Sequence, residues 1–258
     1  MAGRRASIAC LRRLLRNSRY LSGVSANSCW HCWQKPGIAV VPDHGGILLT
    51  GFEPFGQAVE NPSAHIAQAF DGTQVAGLSV QGRLLPCVFG EARRHLAAHI
   101  ADCSPSIILC LGLAAKRPVI SIERVALNFI DAPIPDNTGK QPMEAPVIAG
   151  GPSALFARLP LRSLLARLQQ AGLPAEISLS AGSYVCNELF YGLLHSLSQQ
   201  PADIQAGFIH VPPMPGQIPE NPGLALEAQI FAIRLVLECL TGSCAPPAGL
   251  TGASGRCD

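Results

Sequence analysis

The sequence predicts an α/β fold, a three-layer α/β/α sandwich built around a mostly parallel, twisted sheet. Three observations carry this expectation. Ile47–Thr50, Ile107–Gly112 and Ala206–Val211 are short runs with almost no polar face, as strands of a parallel sheet covered on both sides must be. Helical patterns lie between such runs, so strands and helices alternate along the chain. The length of 258 residues suits one such domain, or at most two.

Taken in order, the strand Ile47–Thr50 ends in the loop Gly51-Phe52-Glu53-Pro54-Phe55-Gly56. Asn61 is placed as an N-cap and Pro62 as the first helical residue of a helix running through Phe70. A strand over Leu78–Leu85, a helix over Glu91–Asp102, the strand Ile107–Gly112 and an extended segment over Val119–Asn128 follow. Asp131–Pro146 is rich in Pro, Asp, Asn and Gly and reads as loop. Leu161–Ala171 is an amphipathic helix. A strand over Ala175–Ser180 then turns at Ala181-Gly182 into another helix, with Ser183 as N-cap and Leu189, Leu193, Leu194 and Leu197 on its apolar face. Ala206–Val211 is the next strand and Pro222–Leu240 a long final helix. Residues 45–242 therefore form one domain, and 243–258 read as a flexible tail.

The first 44 residues do not share this character. No Asp or Glu occurs between Met1 and Pro42, while Arg4, Arg5, Arg12, Arg13, Arg16 and Arg19 crowd the start. Such a segment fits an organellar targeting sequence or a start assigned too far upstream. The second is favoured, because Ser28–Pro36 lacks an amphipathic pattern, and the extension is expected to be disordered or misassigned. Cys29-Trp30-His31-Cys32 has a Cys-x-x-Cys spacing. It has no second cysteine pair and no strand–helix unit around it, so a redox or zinc role is the remote alternative.

Composition narrows the function. The net charge is +2 and charged residues make up 14%, against ~25% in an average soluble protein. No nucleic-acid footprint is expected. Mean hydropathy is +0.27, but the longest apolar run, Ile107–Ala115, is under half of the ~20 residues a membrane span requires. The ten cysteines are widely scattered and no signal peptide is evident, which points to a reduced, cytoplasmic compartment.

Chemistry centres on Cys186. Third in its predicted helix, it lies among backbone N–H groups that no helical carbonyl satisfies, and these together with the helix dipole favour a thiolate. The bland alternative is a buried cysteine packed as a small hydrophobe. A cysteine hydrolase also needs an imidazole and a group to orient it. His195 is nine residues along the same helix, about 900° of rotation and ~13 Å of rise away, so it cannot reach the sulfur. His65, His95 and His99 sit in helices that cover the sheet, and His31 and His44 fall in the unusual N-terminal stretch. His210 ends a strand, at the edge where groups collect in such sheets. For the orienting acid, Glu188 points about 200° away from Cys186 around the helix. Glu123 interrupts an apolar run and needs a partner. An ordinary ion pair with Arg124 is the alternative for it, although neighbouring strand residues face opposite ways.

These same segments resemble the pyroglutamyl peptidase I family (pyrrolidone-carboxylate peptidases). Gly51-Phe52-Glu53-Pro54-Phe55-Gly56 with Asn61-Pro62 resembles its opening signature. Ile122-Glu123-Arg124-Val125-Ala126 with Ile134-Pro135-Asp136-Asn137 resembles the segment carrying its catalytic glutamate. Ala181–Asn187 resembles its nucleophile motif and Gly207–Pro212 its histidine motif. The resemblance implies a thiol omega-peptidase that hydrolyses an N-terminal pyroglutamyl residue from peptides. Cys186 would be the nucleophile, His210 the base and acid, and Glu123 the orienting group. Phe52, Phe55, Asn61 and Tyr184 would form the substrate site. It further implies a cytoplasmic homotetramer that uses no cofactor or metal and binds peptides rather than nucleic acid or membrane. Two positions depart from the family pattern: Gln57 stands in place of a second glycine, and Pro133 where the family usually has arginine near the active site. A catalytically impaired homologue that binds a lactam-blocked peptide is therefore the alternative, unless Lys116 or Arg117 supplies the missing charge.

Overall fold

The structure, a computed structural model, describes residues 45–56, 58–199 and 204–243. The expectations for residues 1–44, including His31, His44 and the Cys29–Cys32 pair, lie outside these residues, as do Gln57 and the tail beyond 243.

Strands β1 (Ile47–Phe52), β2 (Gln74–Val75), β3 (Leu78–Leu85), β4 (Ile107–Leu113), β5 (Ile120–Glu123), β8 (Ala175–Ser178) and β9 (Gln205–Val211) form one sheet. Its order is β2-β3-β1-β4-β9-β5-β8. The pairs β1–β3, β1–β4, β4–β9 and β5–β8 are parallel, whereas β5–β9 and β2–β3 are antiparallel. The sheet is thus mostly parallel. Strands β6 (Val125–Leu127) and β7 (Ala154–Phe156) form a separate antiparallel pair.

Among the described residues five α-helices cover the sheet: α1 (Pro62–Phe70), α2 (Glu91–Cys103), α3 (Leu161–Gln170), α4 (Val185–Ser198) and α5 (Leu226–Glu238). Successive strand residues point to opposite faces, and the packing follows that alternation. Ile47, Leu49, Ile107, Leu109, Ile120, Ile122, Ile209 and Val211 pack with α1, α3 and α5. Leu48, Ile108, Cys110, Ala206 and Phe208 pack with α2 and α4. Helix α1 begins as expected: Asn61 Oδ1 accepts from the Ser63 N–H at 3.1 Å, and Pro62 occupies the first turn.

Several elements differ from expectation. Strand β8 stops at Ser178, because the Ser178 hydroxyl accepts from the Ser180 N–H and folds the chain out of the ladder. The last helix begins at Leu226 rather than Pro222. Gly223 sits at φ +67°, where a Cβ would lie 2.6 Å from Pro213 O, so the segment turns before it coils. Ser183 is not an N-cap. Its hydroxyl donates to Asp131 O at 2.6 Å, and Tyr184 takes the cap position without a side-chain capping bond. Strand β7 and the two-residue β2 fall in stretches with no strand signal in the sequence.

Candidate active site

The pleat places two of the predicted residues on one face. His210 follows Ile209, which faces the α1/α3/α5 layer, so the imidazole points to the α2/α4 side. Glu123 follows Ile122 in the same way. Ser121 lies opposite His210 in the antiparallel β5–β9 pair, which makes Glu123 the diagonal neighbour of His210. His210 Nδ1 and Glu123 Oε1 are 2.7 Å apart, with the two residues 5% and 0% exposed. A carboxylate only accepts hydrogen bonds, so Nδ1 carries the proton and Nε2 is left as the basic nitrogen.

The thiol comes from the helix layer that covers this same face. Cys186 is the second residue of α4 and is partly buried. Gly112 on β4 lies directly beside His210 on β9. A Cβ built at Gly112 would lie 2.9 Å from Cys186 Sγ and 2.9 Å from the Phe208 ring. That ring packs 4.8 Å from the His210 imidazole, centre to centre. Thiol, aromatic ring and imidazole therefore converge over Gly112, a strand position with no side chain.

The electrostatics correct one expectation. The Cys186 thiol is pushed well above its ordinary pKa, first by burial and then by Cys87, Glu123 and Cys110 nearby; its own backbone N–H opposes this only in part. Desolvation outweighs the helix terminus, so the resting sulfur is a thiol and its proton must pass to a base.

Glu123 does not pair with Arg124. Its Oε1 accepts from Arg117 Nη1 at 2.6 Å as well as from His210. Arg117 is thus committed to the acid rather than free to replace the family arginine. Lys116 and Pro133 are exposed.

The four predicted substrate residues fall into two groups. Phe55 and Tyr184 are partly exposed, with ring centres 6.0 Å apart, and Phe89 meets Tyr184 edge-on at 5.3 Å. The Tyr184 hydroxyl donates to Pro135 O at 2.9 Å. Phe52 is buried behind them, 6.5 Å from Phe208. Asn61 is buried too, and its side chain is used on the loop itself: Nδ2 donates to Glu53 O at 3.2 Å while Oδ1 caps α1. Its place is therefore behind the loop that carries Phe55. A groove of about 730 Å³ runs past Phe55, Leu113 and Ile134 to Met214 and Ile218.

Sequence reasoning missed some residues that build this site. Asn187, fully buried, accepts from Leu127 N–H and donates to the Leu127 and Phe129 carbonyls, each at 2.9 Å. It ties the start of α4 to the segment that follows Glu123. Asp136 accepts from the backbone N–H groups of Phe89, Thr138 and Lys140. Burial by itself would raise its pKa, but these bonds and the Thr138 hydroxyl outweigh it and hold the carboxyl below its ordinary value. Both lie inside the segments that resemble the family's motifs, and Asn187 is a polar residue in an apolar helix, but neither was given a role. Among the described residues no cluster of His, Cys, Asp or Glu is arranged to hold a metal ion.

Comparison with known proteins agrees with this geometry. A family model described as pyroglutamyl peptidase matches residues 46–242. A pyrrolidone-carboxylate peptidase of Klebsiella pneumoniae is 48% identical over 178 residues, spanning 69% of this chain and 83% of that protein. Its namesake from Chromobacterium violaceum is 46% identical over 195 residues, 74% of this chain and 90% of the other. Among solved structures, pyroglutamyl peptidase I of Bacillus amyloliquefaciens superposes with a TM-score of 0.73 at 36% identity, covering 76% of this chain and 96% of that one. Pyrrolidone carboxyl peptidase of Pyrococcus furiosus gives 0.74 at 40% identity, covering 77% and 99%. Matched by the family model over residues 46–242 and up to 48% identical to these relatives, the chain belongs to the pyroglutamyl peptidase family.

Proposed function

We propose that this protein is a cysteine omega-peptidase that hydrolytically removes the N-terminal pyroglutamyl (5-oxoprolyl) residue from peptides. The observation that carries the chemistry is the buried Glu123–His210 pair, held on the sheet face where Gly112 admits the Cys186 thiol. In this reading His210 Nε2 takes the thiol proton, and the sulfur attacks the pyroglutamyl carbonyl. The imidazolium returns its proton to the leaving amine, which releases the shortened peptide and leaves a thioester. His210 then takes a proton from water, whose attack frees pyroglutamate and restores the thiol. Glu123 stabilises the imidazolium in each half. Unpaired N–H groups in the first turn of α4 are available to the oxyanion.

The substrate suits such a site. A lactam-blocked N-terminus carries no ammonium, so the pocket needs no acidic anchor but apolar walls and a few amide contacts. Phe55 and Tyr184 supply the accessible walls and Phe52 the layer behind them, with Asn61 fixing the loop. We also infer a cytoplasmic homotetramer acting on peptides rather than on nucleic acid or membranes. The tetramer rests on the family resemblance. The compartment rests on the need to keep a nucleophilic thiol reduced, and the partner class on the near-neutral charge. No helix among the described residues is long and apolar enough to cross a membrane.

The test is release of a fluorogenic amine from its pyroglutamyl amide. Wild-type protein is expected to turn it over, and Cys186→Ser to abolish turnover at an unchanged melting temperature. Full activity in that variant, or inactivation by iodoacetamide traced to another cysteine, overturns the assignment.

A further inference from the structure

Resting on the catalytic roles proposed above, we infer that Arg117 is a positioning residue of the reaction, a strut that locks the Glu123 carboxylate and the approach to Cys186 into one unit. Its guanidinium makes three contacts. Nη1 donates to Glu123 Oε1 at 2.6 Å and to Ser178 Oγ at 3.2 Å, and Nη2 donates to Ser180 O at 2.7 Å. The Arg117 backbone is held in turn: its N–H donates to Ala114 O at 3.0 Å, and its carbonyl accepts from Asn221 Nδ2 at 3.1 Å. One side chain therefore joins the β4–β5 loop, the catalytic acid, and the segment that leads from β8 to the nucleophile.

The arrangement of the acid gives this strut a chemical consequence. Arg117 and His210 share one oxygen of Glu123, while Oε2 has no hydrogen-bond partner among the described residues. With the guanidinium anchored at two other points, the carboxylate cannot turn to offer Oε2, so Oε1 stays aimed at His210 Nδ1. The charged or titratable groups facing Glu123 are Arg117 from the β4–β5 loop, His210 from β9 and Cys186 from α4; β8 contributes the neutral Ser178. A fully buried carboxylate without a counter-charge is strongly unfavourable, and among these groups Arg117 is the permanent cation. Losing it frees the carboxyl to rotate away from Nδ1, which loosens the histidine.

Arg117 is also reachable from solvent, with its side chain 29% exposed, so a small cation can enter the space it leaves. The experiment measures steady-state kinetics on the pyroglutamyl amide for Arg117→Met, Arg117→Lys and Arg117→Ala. A general acid–base system that loses its orientation is expected to drop kcat about 30-fold in Arg117→Met, with KM within about twofold. Arg117→Lys should recover most of that loss, and guanidinium ion should restore Arg117→Ala several-fold while leaving the wild type unchanged. Arg117→Met in a Glu123→Gln background should lower kcat little further than Glu123→Gln alone, because the arginine acts through the acid. A kcat for Arg117→Met within twofold of wild type overturns the inference. So do a melting-temperature loss without a kcat loss, failure of guanidinium rescue in a folded Arg117→Ala, and additivity in the double variant. If Arg117→Met does not fold, Arg117→Ala measured with and without guanidinium ion decides the matter. Turnover surviving in Cys186→Ser would instead overturn the catalytic reading itself, whatever the arginine variants do.

Discussion

Across the face covered by α1, α3 and α5, the central strands present Ile47, Leu49, Ile107, Leu109, Leu111, Ile209 and Val211, and the helices answer with Phe70, Leu164, Ile233 and Leu237. The face covered by α2 and α4 is built from the alternate residues of the same strands, yet it buries Thr50, Glu123, His210, Cys87 and Cys110, together with Asn187 and Glu188 from α4. The two faces carry out different work. Side chains that mostly need only to exclude water fill the first, with Ser63 of α1 and Gln229 of α5 as buried polar exceptions. On the second, each buried polar group must find a partner. Glu188 shows what that entails: burial pushes its carboxyl up in pKa despite the Arg93 guanidinium beside it. Function is housed where the sheet tolerates polarity, and the opposite face provides the stability that allows it.

The largest contrast should come from exchanging one residue on each face. His210→Ala is expected to lower kcat by about 10²–10⁴, since in the proposed mechanism it removes the acid and base of both half-reactions, while melting temperature moves little. Leu237→Ala, on the apolar face, should lower stability by ~2–5 kcal/mol through the cavity it leaves with kcat per folded molecule unchanged. Urea titration and fluorogenic kinetics on both variants check the pair. A large kcat loss in Leu237→Ala would break the division between faces.

Gly112→Ala probes the meeting point. The added methyl must displace the Cys186 sulfur or the Phe208 ring, each 2.9 Å away. Overpacking of this kind costs ~1–3 kcal/mol, and here it should also cut kcat and the rate of iodoacetamide labelling at Cys186. Equal labelling of variant and wild type would show that the thiol does not rest against this strand.

The smallest effect concerns the buried thiols of the functional face. Burial pushes both Cys87 and Cys110 from 9.0 up to about 12. Above pH 9 the unfolded thiols ionise while the folded ones keep their protons, so the native state binds more protons and stability falls as pH rises. Their contribution is fully present below pH 9 and is lost as pH climbs toward about 12. Each thiol should remove about 1.4 kcal/mol by pH 10. Thermal melts of Cys87→Ala/Cys110→Ala between pH 8 and 10 should show a shallower decline than wild type; an unchanged slope would contradict the burial.

The sequence by itself determined the class of fold and most of the helices, because hydrophobic period and cap chemistry are local. Asn61-Pro62 marked the start of α1, and unbroken apolar runs marked β1, β4 and β9. Four short motifs likewise nominated Cys186, His210 and Glu123 for the roles proposed above. Only the tertiary structure decided the rest. The reversal of β5 and β8 against β9 left no trace in a sequence that alternates strands and helices, yet it makes Glu123 the diagonal neighbour of His210. The identity of the acid's second partner, Arg117 rather than Arg124, depends on a loop fold and not on adjacency. The protonation of Cys186 was misjudged for a related reason. A helix terminus can be read from sequence, but the burial that overrides it, and the added push from Cys87, Glu123 and Cys110, come from separate strands and loops that only the fold brings to the sulfur. Local interactions are encoded within a few residues, whereas burial and charge pairing belong to neighbours that only the folded chain brings together.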